Sequence, residues 1–204
     1  NFDMIQKYLN GKRIMAVVKA NGYGHGSVPC SLALESHGCN FFGVFSIEEG
    51  IELRNAGIKS DILVFSALDP TSLNEAIKNN LILNISDISH LNALIDFHKK
   101  TNNAPRIHIK VDTGMTRLGL GLDPFKQVLE LLIKHTEIKC EGIYSHFATA
   151  DEGDLSYAFD SAVMPTGEDA SLTSMQGVLI LAGHCDSFAT ATYAEVMADA
   201  ANGF

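Results

Sequence analysis

Residues 14–26 have the sequence IMAVVKANGYGHG, an apolar run that ends at Lys19 and is followed by a loop with three glycines. A strand of a parallel sheet is buried on both faces, so its sequence is continuously apolar rather than alternating. Similar runs recur along the chain and are separated by segments with a helical period. They predict the strands Ile14–Lys19, Phe41–Phe45, Ile62–Ser66, Ile82–Ile85, Ile107–Asp112 and Cys140–His146.

The helical segments carry recognisable start and stop signals. Asp123 before Pro124 predicts an N-cap followed by proline at the first helical position. Ser86 or Asp87 predicts the start of the helix that follows the fourth strand, and Gly57 predicts the end of an earlier one. Strands and helices therefore alternate, with one pair in roughly every 20 to 32 residues, which indicates the α/β class.

Two α/β architectures fit this alternation, an open doubly wound sheet and a (β/α)8 barrel of the TIM type. Neither glycine-rich loop, 22–26 or 114–121, matches the dinucleotide fingerprint or a phosphate-binding P-loop. Without a dinucleotide fingerprint or a P-loop, the sequence favours the barrel. A complete barrel usually needs about 200 to 250 residues or more, whereas the six predicted units occupy only the first 146, and Phe2–Leu9 already has a helical period with no strand-like run before it. We therefore expect the barrel to be incomplete at both ends of the chain.

Composition excludes several classes of partner. The 204 residues contain 15 Lys and Arg against 24 Asp and Glu, and the stretch 147–204 has nine of the acids and no Lys or Arg. We expect no nucleic-acid partner because the chain has no basic stripe, and no membrane span because no apolar run approaches roughly 20 residues. The four cysteines form no CxxC pair or His–Cys cluster, so we expect no metal site. With no secretory leader at its start, the sequence predicts a cytoplasmic protein.

The residues with chemical potential lie where predicted strands end, which is where barrels place their active sites. Lys19 ends the first predicted strand, and a lysine desolvated there has a lowered pKa and an available amine. Lys110 and Asp112 end the fifth, and Arg117 in its loop has the geometry to hold a carboxylate or phosphate. His146 ends the sixth. Taken singly, each residue is more often a solvated or structural side chain, so spacing alone leaves the function open.

Three motifs decide between these interpretations. The sequence AVVKANGYGHG at 16–26, KVDTGMTRLG at 110–119 and GIYSHFATADE at 142–152 resemble, in order and spacing, the motifs of the alanine racemases, pyridoxal-phosphate enzymes built on a barrel. The resemblance covers roughly residues 1–152 and implies a racemase-like barrel domain there. Residues 153–204 form an unassigned acidic tail, in which Gly177–Ala182 and Thr190–Ala201 suggest one further βα unit, with sequence foreign to the barrel as the alternative.

The resemblance also implies a role for five residues. Lys19 would form a Schiff base with pyridoxal 5'-phosphate and act as one of two bases at the substrate α-carbon. Tyr23 would bind the cofactor phosphate, and Arg117 would face the cofactor's phenolic oxygen and the substrate carboxylate. Lys110 would be carbamylated and anchor Arg117, and His146 would support the cofactor ring.

Two functions follow from these roles. The first is an alanine racemase that interconverts L-alanine and D-alanine, with serine also open as a substrate. In the family the second base is a tyrosine of the partner subunit's C-terminal β-domain, which implies a homodimer; Tyr157 and Tyr193 match no motif and receive no role. The alternative is a non-catalytic pyridoxal-phosphate-binding barrel or an inactive, truncated racemase.

Overall fold

The computed structural model describes residues 2–9 and 12–146. Its strands are β1 (Ala16–Val17), β2 (Phe41–Val44), β3 (Asp61–Val64), β4 (Leu83–Ile85), β5 (Ile107–Lys110) and β6 (Cys140–Tyr144). Its helices are α1 (Phe2–Tyr8), α2 (Lys19–Tyr23), α3 (Ser27–Ser36), α4 (Ile47–Asn55), α5 (Leu73–Lys78), α6 (Ile88–Thr101) and α7 (Leu122–Lys134), with a 3-10 turn at Pro70–Ser72. Strands and helices alternate, as the sequence predicts.

The strands lie side by side in the order in which they occur in the chain. Strands β1, β2 and β3 form one parallel sheet, and β4, β5 and β6 form another. A bridge between Leu63 and Ile82 joins β3 to the residue before β4, and the Val64 N–H donates to the Ile82 carbonyl at 2.9 Å. A doubly wound sheet reverses its strand order at a switch point, whereas a barrel does not. The observed order is therefore that of a barrel.

The two sheets, joined by this bridge, are buried against apolar side chains on both faces. Phe42 and Val44 of β2 belong to the large core between the sheet and the helices. Because side chains alternate between faces, their neighbours point the other way. A second cluster occupies that opposite, concave face and consists of Phe41, Leu63, Ile82 and Tyr144, with Met15 and Phe65 packed beside it. Two buried faces explain why the strand sequences are continuously apolar.

Several strands are shorter than the apolar runs predict. Strand β1 ends at Val17, before Lys19, because the chain turns there into α2. Strand β5 ends at Lys110 and β6 at Tyr144, each two residues earlier than predicted. Past β5, Val111 makes only an isolated bridge to Leu120 within its own loop. Asp112 and His146 therefore lie past the ends of their strands, whereas Lys110 is still the last residue of β5 and Lys19 is the first residue of α2.

One predicted helix start is confirmed and another is wrong. Asp87 is the N-cap of α6, and its carboxylate accepts from the Ser89 N–H at 2.8 Å. Helix α7 instead begins after Gly121, so Asp123 is not its N-cap. Pro124 is tolerated in the first turn because the N–H groups there have no intrahelical acceptor. Asp123 lies in the same turn, where a carboxylate stabilises the helix by facing its positive end.

Within residues 2–9 and 12–146, no helix is both long enough and apolar enough to cross a bilayer. The same residues contain no group of three His, Cys, Asp or Glu side chains arranged to hold a metal ion. The strand and helix predicted at 177–182 and 190–201, and the domain boundary predicted at 152, lie outside the described residues.

Candidate active site

The residues singled out by the sequence lie at one edge of the sheet, the carboxyl ends of the strands. Lys19 follows β1 and is the first residue of α2, and the half-exposed Tyr23 is its last. Lys110 is the last residue of β5, Arg117 lies in the loop that follows, and His146 is two residues past β6. The parallel pairing of β5 with β6 brings together the strand ends that carry Lys110 and His146, and the charge of Lys19 acts on both side chains.

Four of these side chains influence one another electrostatically. Burial, then the charges of Arg117 and Lys19, lower the pKa of Lys110 to about 8, against an opposing effect of Asp112. Burial, then the charges of Lys110, Arg117 and Lys19, lower the pKa of His146 to about 4. The site therefore concentrates positive charge around an imidazole that is neutral near pH 7.

A tight turn shapes the loop that carries Arg117. The Asp112 carboxylate accepts from the N–H groups of Gly114 at 3.1 Å and Thr116 at 2.9 Å. Thr116 has a φ of 50°, in the left-handed region that a threonine rarely adopts. The side chain of Asp112 thus compensates for a strained backbone one residue before Arg117.

The same loop closes back on the end of β5. The Leu120 N–H donates to the Lys110 carbonyl, and the Asp112 N–H donates to the Leu120 carbonyl, both at 2.9 Å. Gly119 makes this closure possible, because its φ is 134° and a Cβ built there would lie 2.6 Å from the Asp112 nitrogen. The loop is therefore fixed at both ends around Arg117.

Two hydroxyl groups tie this loop to the end of β6. The Thr113 Oγ1 and Ser145 Oγ atoms are 2.5 Å apart, and the Ser145 hydroxyl also donates to the Val111 carbonyl at 2.8 Å. The Thr113 hydroxyl lies 3.4 Å from the carbonyl oxygen of His146. Sequence reasoning assigned no role to either hydroxyl. Their position inside the second and third motifs is the signal that could have indicated them.

An unusual backbone follows Lys19. Ala20, Asn21 and Gly22 have φ values of 52°, 53° and 61°, so α2 contains a left-handed turn. Such a turn costs about 1–2 kcal/mol per residue for side chains other than glycine. Asn21 offsets part of this cost, because its Oδ1 accepts from the N–H of Ser27 at the start of α3 at 3.0 Å.

A parallel barrel with a lysine after its first strand, a lysine at the end of its fifth and an arginine on the loop that follows belongs to the class of barrel proteins whose mouth suits an anionic ligand. The sequence profile of the family described as "Alanine racemase, N-terminal domain" matches residues 1–163. The chain belongs to this family. The family's barrel confirms the predicted TIM-type fold class.

Individual relatives agree with this assignment. Alanine racemase 1 of Caldanaerobacter subterraneus subsp. tengcongensis is 41% identical over 160 residues, which cover 77% of this chain and 41% of that protein. The solved alanine racemase from E. faecalis has a TM-score of 0.72 at 37% identity, over 79% of this chain and 45% of that one. A histidine racemase from Leuconostoc mesenteroides subsp. sake has a TM-score of 0.72 at 26% identity, over 78% and 43% of the two chains. This chain spans less than half the length of each.

Proposed function

We propose that this chain supplies the cofactor-binding barrel of an alanine racemase, which attaches pyridoxal 5'-phosphate to Lys19 and interconverts L-alanine and D-alanine. The observation that carries the proposal is the joint placement of Lys19, Lys110, Arg117 and His146 at the carboxyl ends of the strands, in a chain of this family. No single one of these residues would support it alone.

The charges of the site fit this cofactor. Burial lowers the pKa of Lys110 most, and the positive charges of Arg117 and Lys19 lower it further, so the site favours an anionic ligand. A phosphate and a phenolic oxygen provide such anionic groups. The cofactor, when bound, supplies an electron sink for negative charge at the substrate α-carbon. Tyr23 would donate a hydrogen bond to the phosphate.

Three residues would then act on cofactor and substrate. Lys19 would hold the cofactor and, once released by the substrate, remove or return the α-proton on one face. Arg117 would bind the substrate carboxylate and face the phenolic oxygen. His146, neutral near pH 7 because of its lowered pKa of about 4, would lie against the cofactor ring without adding charge.

Lys110 has the properties needed for carbamylation. Its pKa of about 8 leaves an appreciable fraction of neutral amine near pH 7. That amine would form a bond to the carbon of carbon dioxide and lose a proton, which turns a cation beside Arg117 into an anion. Electron density showing an unmodified Lys110 amine in the active protein would contradict this assignment.

The second base and the substrate preference are further parts of the proposal. The second base would be a tyrosine of a partner subunit in a homodimer. Alanine is the proposed substrate and serine the runner-up, and the similarity of a histidine racemase indicates that one fold serves amino acids of different size. A cytoplasmic location is supported by the thiols of Cys30, Cys39 and Cys140, which are all free.

A cofactor titration tests the attachment. Wild-type protein should gain visible absorbance on addition of pyridoxal phosphate, and borohydride reduction followed by peptide mapping should locate the adduct on Lys19. Lys19→Ala should abolish both signals. Lys126→Ala, which removes an exposed lysine of α7, is the matched control and should leave both unchanged.

Turnover separates the racemase from a non-catalytic cofactor-binding barrel. Only an enzyme should exchange the α-proton of alanine with solvent and produce the opposite enantiomer. Cofactor binding through Lys19 without exchange or enantiomer formation would support the non-catalytic alternative for this chain. Absence of cofactor binding would contradict both functions.

A further inference from the structure

Glu49 makes contacts that its place in the sequence does not predict. It is the third residue of α4, and its N–H lies 3.4 Å from the Oγ of the N-cap Ser46. In the usual capping box of this spacing, the glutamate side chain returns to the N–H of the N-cap residue. Here Oε2 accepts from the Phe45 N–H at 2.6 Å and Oε1 from the Ala20 N–H at 2.8 Å. The carboxylate therefore joins the end of β2 to the turn after β1.

The second contact holds the backbone directly after Lys19. On the other side, the Val18 N–H donates to the Gly43 carbonyl at 2.9 Å, which fixes the chain to β2. Lys19 thus lies between two anchored peptides, one held by a strand and the other by Glu49. The acceptor on the second peptide is a carboxylate, and a hydrogen bond to an ionised acceptor is stronger than one between neutral groups.

The anchored peptide is also the first of the left-handed turn. Ala20 has φ 52° and ψ 48°, a conformation that an alanine adopts only when its surroundings hold it there. Without the carboxylate, this peptide can rotate towards a more favourable conformation. Rotation would swing the Cα–Cβ bond of Lys19, and with it the amine, relative to Lys110.

We propose that Glu49 is a positioning residue, whose carboxylate fixes the peptide after Lys19 and so aims the Lys19 amine at its reaction partner. The proposal rests on the proposed function for the identity of that partner. Its competitor is a purely structural role, in which Glu49 serves only to begin α4. The two differ in whether the reactivity of Lys19 changes beyond any loss of stability.

Glu49→Gln tests the proposal with nearly the same side-chain size. The amide keeps one acceptor oxygen but presents an NH2 group to one of the two N–H donors. Glu52→Gln, on an exposed part of the same helix, is the matched control. We expect Glu49→Gln to bind pyridoxal phosphate at least about tenfold more weakly than the wild type and to shift the pH midpoint of the visible absorbance. Glu52→Gln should change neither property.

Two measurements on protein without cofactor complete the test. Hydrogen exchange of the peptide covering residues 19–26 should be faster in Glu49→Gln. Modification of Lys19 by an amine-reactive reagent should change in rate relative to the exposed Lys59, as read by peptide mapping. If Glu49→Gln does not fold, Glu49→Asp keeps the charge with a shorter reach and should give intermediate values.

The outcomes are distinguishable. Wild-type affinity, pH midpoint and Lys19 reactivity in a folded Glu49 variant would overturn the proposal, as would a lower melting temperature with those three properties unchanged. If the wild type takes up no cofactor, the proposed function fails, and the exchange and labelling results still decide the role of Glu49.

Discussion

The Nζ atom of Lys110 lies 4.8 Å from the centre of the Tyr144 ring, on the neighbouring strand and at the paired register position. Tyr144 is 3% exposed, and its hydroxyl has no hydrogen-bond partner among the described residues. Burial raises the pKa of this hydroxyl, so it stays neutral. The ring face attracts the unmodified, protonated amine of Lys110, whereas the hydroxyl gains nothing from its surroundings.

The first prediction therefore separates the ring from the hydroxyl of Tyr144. Tyr144→Phe keeps the ring under Lys110 and removes an unpaired buried group, so the free energy of unfolding should stay within about 1 kcal/mol of wild type or rise. Tyr144→Leu loses the ring and should lower it by about 2 kcal/mol or more. Urea denaturation of both variants provides the comparison. A larger loss in Tyr144→Phe would indicate a partner for the hydroxyl.

The second prediction concerns pH and the buried His108. Its side chain is 2% exposed and lies edge-on to Phe41, with 5.7 Å between ring centres. Burial, then the charges of Arg106 and Arg13, lower its pKa from 6.5 to about 4. Between these two values the unfolded chain binds more protons than the native state, so stability falls as the pH falls.

For His108 this effect amounts to about 2 kcal/mol between about pH 7 and pH 5. His108→Phe should remove that part of the pH dependence, as measured by urea unfolding at the two pH values. The lowered pKa of His146 acts in the same direction and should leave a residual slope. His37→Gln, at an exposed position, should keep the wild-type slope. An equal slope in His108→Phe would contradict the prediction.

The third prediction concerns an ion network at the amino ends of the strands. Asp61 of β3 lies 2.6 Å from Arg13 and 2.9 Å from Arg106, and Arg106 also lies 3.0 Å from Glu141 of β6. Burial acts to raise the pKa of Asp61, but hydrogen bonds from Arg13 and Arg106 and their charges lower it overall. The carboxylate thus links three parts of the barrel.

Asp61→Asn should lower the free energy of unfolding by about 1–3 kcal/mol, because it leaves two partly buried guanidinium groups without their shared anion. In the wild type, the stabilisation from these ion pairs is fully present above the pKa that Asp61 has in the unfolded chain. It is lost as the pH falls through the lower pKa of Asp61 in the native state. Asp96→Asn breaks an exposed pair with Lys99 at 3.9 Å and should cost less than about 0.5 kcal/mol. Equal losses in both variants would argue against a special role for the network.

The fourth prediction uses two glycines of the loop that carries Arg117. Gly119→Ala places a methyl group 2.6 Å from the backbone nitrogen of Asp112 at a φ of 134°, so the loop must shift. We expect this substitution to lower the free energy of unfolding by about 2 kcal/mol or more, as measured by urea denaturation. Gly121→Ala has no atom within 4 Å of the added carbon and an ordinary φ of −68°, so it should change stability by less than about 1 kcal/mol. A tolerated Gly119→Ala would contradict the described loop geometry.

Local sequence was sufficient for some element boundaries and not for others. The Asp87 cap could be predicted because it depends only on the Asp87 carboxylate and the N–H of Ser89, two residues further along the chain. The Asp123 cap was wrong because Gly121 also satisfies the requirements of a helix start, and the choice depends on how the preceding loop closes on β5. Strand ends were misplaced for a similar reason, since pairing with a neighbour decides where a strand stops.

The candidate site divides in the same way. The positions of Lys19, Lys110, Arg117 and His146 could be predicted because each lies at or just after the end of an apolar run, within a contiguous sequence motif. Glu49 was missed, since its spacing from Ser46 predicts an ordinary capping box and nothing nearby in sequence indicates Ala20 as its partner. Local sequence determines where the first four residues lie, whereas the position of the Glu49 carboxylate depends on the packing of α4 beside the turn after β1.

The sequence by itself determined the parallel α/β class and the residues at the strand ends, because burial on both faces forces continuous apolar runs and polar residues resume where they stop. Tertiary structure alone decided the charge state of the site and the contact that anchors Lys19. Lowered pKa values at Lys110 and His146 require burial beside charges distant in the chain, and a carboxylate reaches the Ala20 peptide only after two βα units have packed together.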